Sequence, residues 1–164
     1  MSYSVITHIR YNYWACARIV DLLKTLDEKF IFTQLKSSFP GIGKTLLHIW
    51  DGEVVWLKRL QGESMTDLPS KDFKGKKDEL LTGAFTSSQV LLGFVESKGN
   101  DFFASKISYR NIKGDPYENI AEDILFHIVN HGTYHRGQII TMLRELEIVQ
   151  VPNTDLVNFL RSNK

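Results

Sequence analysis

The chain carries five histidines, and three of them, His127, His131 and His135, repeat at four-residue spacing. On a helix that spacing sets side chains one turn apart along one side. Adjacent imidazoles so placed can converge on one cation at about 2.0–2.1 Å. All three cannot, because i to i+8 covers about 12 Å of helix axis. A single ion takes one adjacent pair and recruits its remaining ligands elsewhere. With His131 at zero on a helical wheel, His135 falls about 40° away, Ile124 and Met142 about 20°, and Ile139 about 80°. His131 and His135 therefore share an apolar arc expected to face a core, whereas His127 lies about 40° to the other side, at the polar margin. The bland alternative is two core histidines, each hydrogen-bonded to its own partner. Two crowded imidazoles lacking both a cation and separate partners would be costly, so the metal pair is predicted to be His131 and His135.

A third ligand must come from another segment. His48 has Gly52 one turn later, which leaves room beside it, while His8 is flanked by Val5, Ala15 and Ile19. Spacing alone leaves both open. Three neutral imidazoles would leave a divalent ion its full +2 charge and at least one open coordination position. That charge could lower the pKa of bound water or hold a thiolate, so hydrolysis and thiol transfer share one ligand set. The zinc-protease helix motif is absent: Gly132 follows His131, and no general base is built in there. Asn130, Tyr134 and Gln138 flank the same face and are candidates to orient a ligand or contact substrate. Arg136 projects about 140° from His131, toward a neighbouring element or a partner chain.

Other chemistry is weaker. The lone Cys16 has no orienting acid and reads as a buried apolar filler. Gly41-Ile42-Gly43-Lys44-Thr45 ends like a phosphate-binding loop, but its leading glycine and its strand are missing.

The elements that must position these residues are helical. Apolar residues recur at three to four residues over about Tyr3 to Leu26, Lys44 to Gln61, Asp78 to Ser97 and Asn119 to Glu147. Gly62 is expected to close the second stretch, and Asn153 or Thr154 to cap a short last helix from Asp155 to Arg161. Phe102 to Tyr117, with its Gly114-Asp115-Pro116 turn, suits either a hairpin or an ordered loop. Four amphipathic helices in one chain predict an all-α four-helix bundle, a single domain over residues 1–164. The Gly62-to-Lys77 connection is longer than a tight antiparallel turn needs.

Composition narrows the rest. Lys+Arg number 20 against 19 Asp+Glu, a net charge of +1, so no nucleic-acid partner is predicted. No run of about 18 apolar residues occurs, so no membrane span is expected. Met1 to Arg10 lacks a secretory pattern, and one cysteine suits a reducing compartment; the expectation is a cytoplasmic protein.

Asn130-His131-Gly132-Thr133-Tyr134-His135-Arg136-Gly137-Gln138-Ile139 resembles the signature of the DinB (damage-inducible) family. Leu47-His48-Ile49, followed by Glu53, Trp56 and Leu57, is similar to that family's second-helix motif, and Pro152-Asn153-Thr154-Asp155-Leu156 to its C-terminal segment. The resemblance runs over the whole chain in element order. It implies an up-down-down-up bundle, commonly a homodimer, with one divalent metal, zinc or nickel, held by His48, His131 and His135. Relatives in the wider superfamily are thiol transferases using bacillithiol or mycothiol, or a maleylpyruvate isomerase. The resemblance thus implies a thiol S-transferase or hydrolase acting on a small molecule, with a low-molecular-weight thiol as a candidate reactant. A non-catalytic metal-binding stress-response protein is the alternative.

Overall fold

A computed structural model describes residues 5–63 and 67–162, so the expected helix start at Tyr3 lies outside the described residues. Four long helices carry the fold: α1 (Val5–Thr25), α3 (Ile42–Leu60), α5 (Lys77–Glu96) and α7 (Ala121–Glu145). Between and after them lie the short helices α2 (Glu28–Phe32), α4 (Pro69–Asp72), α6 (Asn100–Phe103) and α8 (Leu156–Ser162), and the strands β1 (Lys106–Arg110) and β2 (Pro116–Ile120).

Side-chain contacts fix how the long helices run. Arg10 pairs with Glu96, and the Lys77 Nζ donates to the carbonyls of Lys24 and Leu26, so α1 and α5 are antiparallel neighbours. Helices α3 and α5 are parallel, with Trp50 lying over Gly83 and Glu53 meeting Ser88. His8 meets Phe126 and Asn12 meets Arg136, so α1 and α7 are also parallel. His48 meets His135 and Trp56 meets His127, which makes α3 and α7 antiparallel. The result is a ring in the order α1, α5, α3, α7, with up-down-down-up directions.

Parallel neighbours that follow each other in sequence need a return path along the bundle. That is why the connection from α3 to α5 is long: α3 alone spans about 28 Å. Gly62, at φ 80°, takes the left-handed conformation that ends α3.

The core fills both ends of the bundle. One cluster packs Ile9, Ala15, Leu91, Val95, Leu125 and Ile128; the other packs Leu23, Ile31, Leu46, Leu80, Ile139 and Leu143.

The segment after α6 is a hairpin. Ile107 pairs with Asn119 and Tyr109 with Tyr117 in an antiparallel register. Its turn is held by the Asn111 Oδ1, which accepts from the amides of Lys113 and Asp115. This pairing takes the backbone of Asn119 and Ile120 into β2, so α7 begins at Ala121 and not at Asn119 as the periodicity suggested. The Asn153 Oδ1 accepts from the Asp155 amide ahead of α8, whose buried Phe159 packs on Tyr11 and Trp14. Among the described residues, no helix is long and apolar enough to cross a membrane.

Candidate metal centre

The antiparallel seam between α3 and α7 is built in three rungs. His48 faces His135, Gly52 faces His131, and Trp56 faces His127. Each helix thus contributes every fourth residue, and the histidine stripe of α7 meets a complementary stripe on α3.

The first two rungs bring three imidazoles together. The ring centroids of His48, His131 and His135 lie 4.5–4.8 Å from one another, and one nitrogen from each lies within 4.8 Å of the others. The Nε2 atoms of His131 and His48 are 2.9 Å apart. Without a cation one of that pair must carry a proton. A divalent cation between them would take a lone pair from each ring at about 2.05 Å. Two donors on one such ion cannot be more than about 4.1 Å apart, so the third ring would turn inward slightly. The donor set fits a divalent ion, and it contains no carboxylate or thiolate.

His135 is the anchor. Its Nδ1 lies 2.7 Å from the Gln138 Oε1. A carbonyl oxygen only accepts, so Nδ1 carries the proton and Nε2 is left with its lone pair for a cation. Gln138 is itself held, donating from Nε2 to the Ser38 Oγ at 3.3 Å. Phe39, from the connection before α3, stacks on His48 at 3.9 Å and meets His135 edge-on. This cover comes from a loop with no periodicity, so no pattern in the sequence pointed to it.

Burial, and then the rings of His135, His48 and His127, push the His131 imidazole down to about 4. Burial first and His135 second also lower His48, with Asp51 pulling partly the other way. Neutral imidazole is the ligand form, so the pocket favours the state a cation needs.

The remaining candidates separate. Tyr134, 63% exposed, meets His135 edge-on at 5.0 Å. Asn130 is exposed, and among the described residues no hydrogen bond joins it to the three rings, since its position on α7 turns away from α3. His127 packs on Trp56, 6.0 Å from His131 by centroids. His8 sits against Phe126, apart from the cluster. Cys16 is buried, and burial pushes its thiol up to about 12, an inert state.

Arg136 turns into the bundle and is buried there. Its Nη1 donates to the Asn12 Oδ1 at 2.8 Å, the Asn12 Nδ2 donates to the Glu53 Oε1 at 2.7 Å, and the Ser88 Oγ donates to the same oxygen. Each long helix gives one member, so this chain ties the bundle together behind the histidines. Burial raises the Glu53 pKa. Gly132 lets α1 approach: a Cβ there would lie 2.8 Å from the Asn12 Oδ1. Gly137 has no such reason, with nothing near its Cβ position. The network was not expected from sequence, where Glu53 and Asn12 look like ordinary polar residues.

The DinB family model matches residues 1–163. The chain belongs to the DinB family. Protein DinB of Bacillus subtilis (strain 168) is 27% identical to this DinB-family chain over 149 residues, which is 87% of the chain and 86% of the relative. The solved structure of YfiT from Bacillus subtilis matches with a TM-score of 0.67 at 10% identity, covering 90% of each chain. YfiT is described as "a probable metal-dependent hydrolase with an unusual four-helix bundle topology". At that identity the likeness concerns the fold, and it agrees with the up-down-down-up arrangement of this DinB-family bundle.

Proposed function

We propose that this DinB-family protein binds one divalent cation, zinc or nickel, through His48, His131 and His135, and uses it to transform a small molecule by hydrolysis or thiol transfer. The observation that carries this is the convergence of three imidazole nitrogens from two helices within 4.8 Å. The fold shared with YfiT, described as "a probable metal-dependent hydrolase", supports the hydrolytic form. When bound, such an ion supplies a +2 centre that activates water near neutral pH or holds a thiolate, bacillithiol-like in size, for attack.

The chain's own residues do the rest. Gln138 fixes the ring orientation and tautomer of His135. Phe39 shields the rear of His48 and His135 from water. His48 and His131 stay half-buried, so a small molecule can reach the donors from the seam. Tyr134 stands at the rim, exposed enough to donate a hydrogen bond to substrate. The family resemblance supports action as a homodimer in the cytoplasm.

Metal analysis of untagged protein, reloaded with zinc or nickel, tests the site. About one ion per chain is expected, falling to near zero in His131→Ala. A content near zero, unaltered by His131→Ala, would overturn it. If the ion binds tightly but panels of esters and of thiol-plus-electrophile pairs show no turnover, the catalytic reading gives way to the non-catalytic metal-binding one.

A further inference from the structure

The third rung of the α3–α7 seam, Trp56 facing His127, is unused by the centre described above, yet it opens onto a cavity of about 270 Å³. Trp56, Tyr109, Asn119, Asp123, Ile124 and His127 line it. We propose that this cavity is a subsite for a ring-sized apolar group, the aryl portion of a substrate whose reactive end extends past His127 along the seam to the three histidines. The proposal rests on the metal-centre reading and names the substrate class of that site.

Three observations carry it. The first is position. Each rung advances one helical turn, about 5.4 Å, and the His127 ring that walls the cavity lies 6.0 Å from the His131 ring by centroids. The cavity therefore flanks the centre along the seam, on the far side of His127, and a substrate chain running past His127 from it leads to the three histidines. The second is shape. The Tyr109 and His127 rings stand at 77° and 69° to Trp56, at 5.3 and 5.0 Å, and buried Ile124 adds an aliphatic wall. A cavity of about 150 Å³ already accepts benzene. The third is rigidity. The Tyr109 hydroxyl donates to the Asn119 Oδ1 at 2.8 Å, and the buried Arg59 guanidinium lies 4.4 Å over Trp56 and 4.7 Å over Tyr109. Walls held this way lose little freedom on binding.

Arg59 also settles the sign of the ligand. It already occupies ring faces of Trp56 and Tyr109 and, among the described residues, has no carboxylate within ion-pair distance. A cation would meet that guanidinium and find the π faces taken, while the Asp123 carboxylate in the lining repels an anion, so a neutral aryl group fits. The larger cavity beside Lys36, Tyr134 and Gln138 is a poorer entrance. It lies on the Gln138 side of His135, where Nδ1 is already bonded, whereas the free Nε2 points to the other side of the ring.

The test is ¹⁹F NMR of 4-fluorobenzyl alcohol with the full chain, metal-free and zinc-loaded. The ring needs only the cavity, so saturable binding is expected in both forms, weakened about tenfold in Tyr109→Ala, a loss typical of one aromatic contact. Tyr109 packs against the core from the hairpin, so circular dichroism checks that the variant stays folded; Trp56→Ala should agree. In addition, 4-(4-fluorophenyl)butanoate, whose tether can pass His127, should bind more tightly with zinc than without, and lose that gain in His131→Ala. Zinc uptake without saturable alcohol binding, or binding unchanged in both aromatic variants, overturns the subsite and leaves the metal reading standing. Alcohol binding without any zinc uptake upholds the ring site while overturning the metal reading.

Discussion

Gly52 and His131 share one space across the α3–α7 seam: a Cβ on Gly52 would lie 2.9 Å from the His131 Cε1 and 3.1 Å from its Nδ1. The glycine is what lets the imidazole lie flat against α3 and meet His48. Gly52→Ala is therefore expected to displace a flexible ring, not the helix. The alanine itself favours α3 by up to about 1 kcal/mol. The expected outcome is an unchanged or higher melting temperature for the metal-free protein, with zinc affinity lowered about tenfold or more by calorimetric titration.

Gln138 acts on the centre through His135. Replacing it by leucine removes the acceptor for Nδ1–H while keeping similar bulk. Zinc affinity should fall by about 10- to 100-fold, and Gln138→Glu should restore it, since a carboxylate accepts the same proton. Competition with a chromophoric chelator reads both. Equal affinities in Gln138→Leu and the unmodified protein would count against this role.

The metal-free fold should weaken in acid. His131 titrates near 4 in the folded chain against an ordinary 6.5. The group is basic and its folded pKa is depressed, so between those values the unfolded chain binds the extra proton. Stability falls as pH drops below 6.5 and the loss levels off near pH 4. His48 shifts in the same direction and adds to it. Urea melts of metal-free protein from pH 7.5 to 4 check this, with a shallower slope expected in His131→Asn. Zinc should also be released over this range, because protons compete for the same lone pairs.

The chain from Arg136 through Asn12 to Glu53 and Ser88 is a stability element, separable from the centre it backs. Arg136→Ala leaves a buried amide and carboxyl without their cation and should cost about 3 kcal/mol or more. Glu53→Gln keeps an acceptor for Asn12 and Ser88 and should cost about 1 kcal/mol. Urea unfolding measures both, and zinc stoichiometry should survive in Glu53→Gln.

Much of this was legible in the residues because helices make periodicity visible. The four-residue histidine repeat and the apolar arc around His131 set that pair apart from His127 as an expectation, and the fold brings that pair beside His48. His48 against His8 was not decidable from spacing, because each has apolar neighbours on its own helix, and only the order of helices around the ring tells them apart. That ring order is a long-range property: α3 meets α7 because the return connection carries the chain along the bundle. The same limit hid Phe39, contributed by an irregular loop, and gave Gly52 the wrong partner, since it makes room for His131 across the seam and not for its own neighbour His48. Asn130, exposed on α7, shows that a wheel reports angle and not which helix lies opposite.

Anomalous diffraction at the zinc edge, on crystals of untagged protein loaded with zinc, is the decisive experiment. One peak per chain is expected, about 2.0–2.1 Å from a ring nitrogen each of His48, His131 and His135. No peak at the seam, or zinc bound only at surface residues with these rings hydrogen-bonded to one another, would contradict the account.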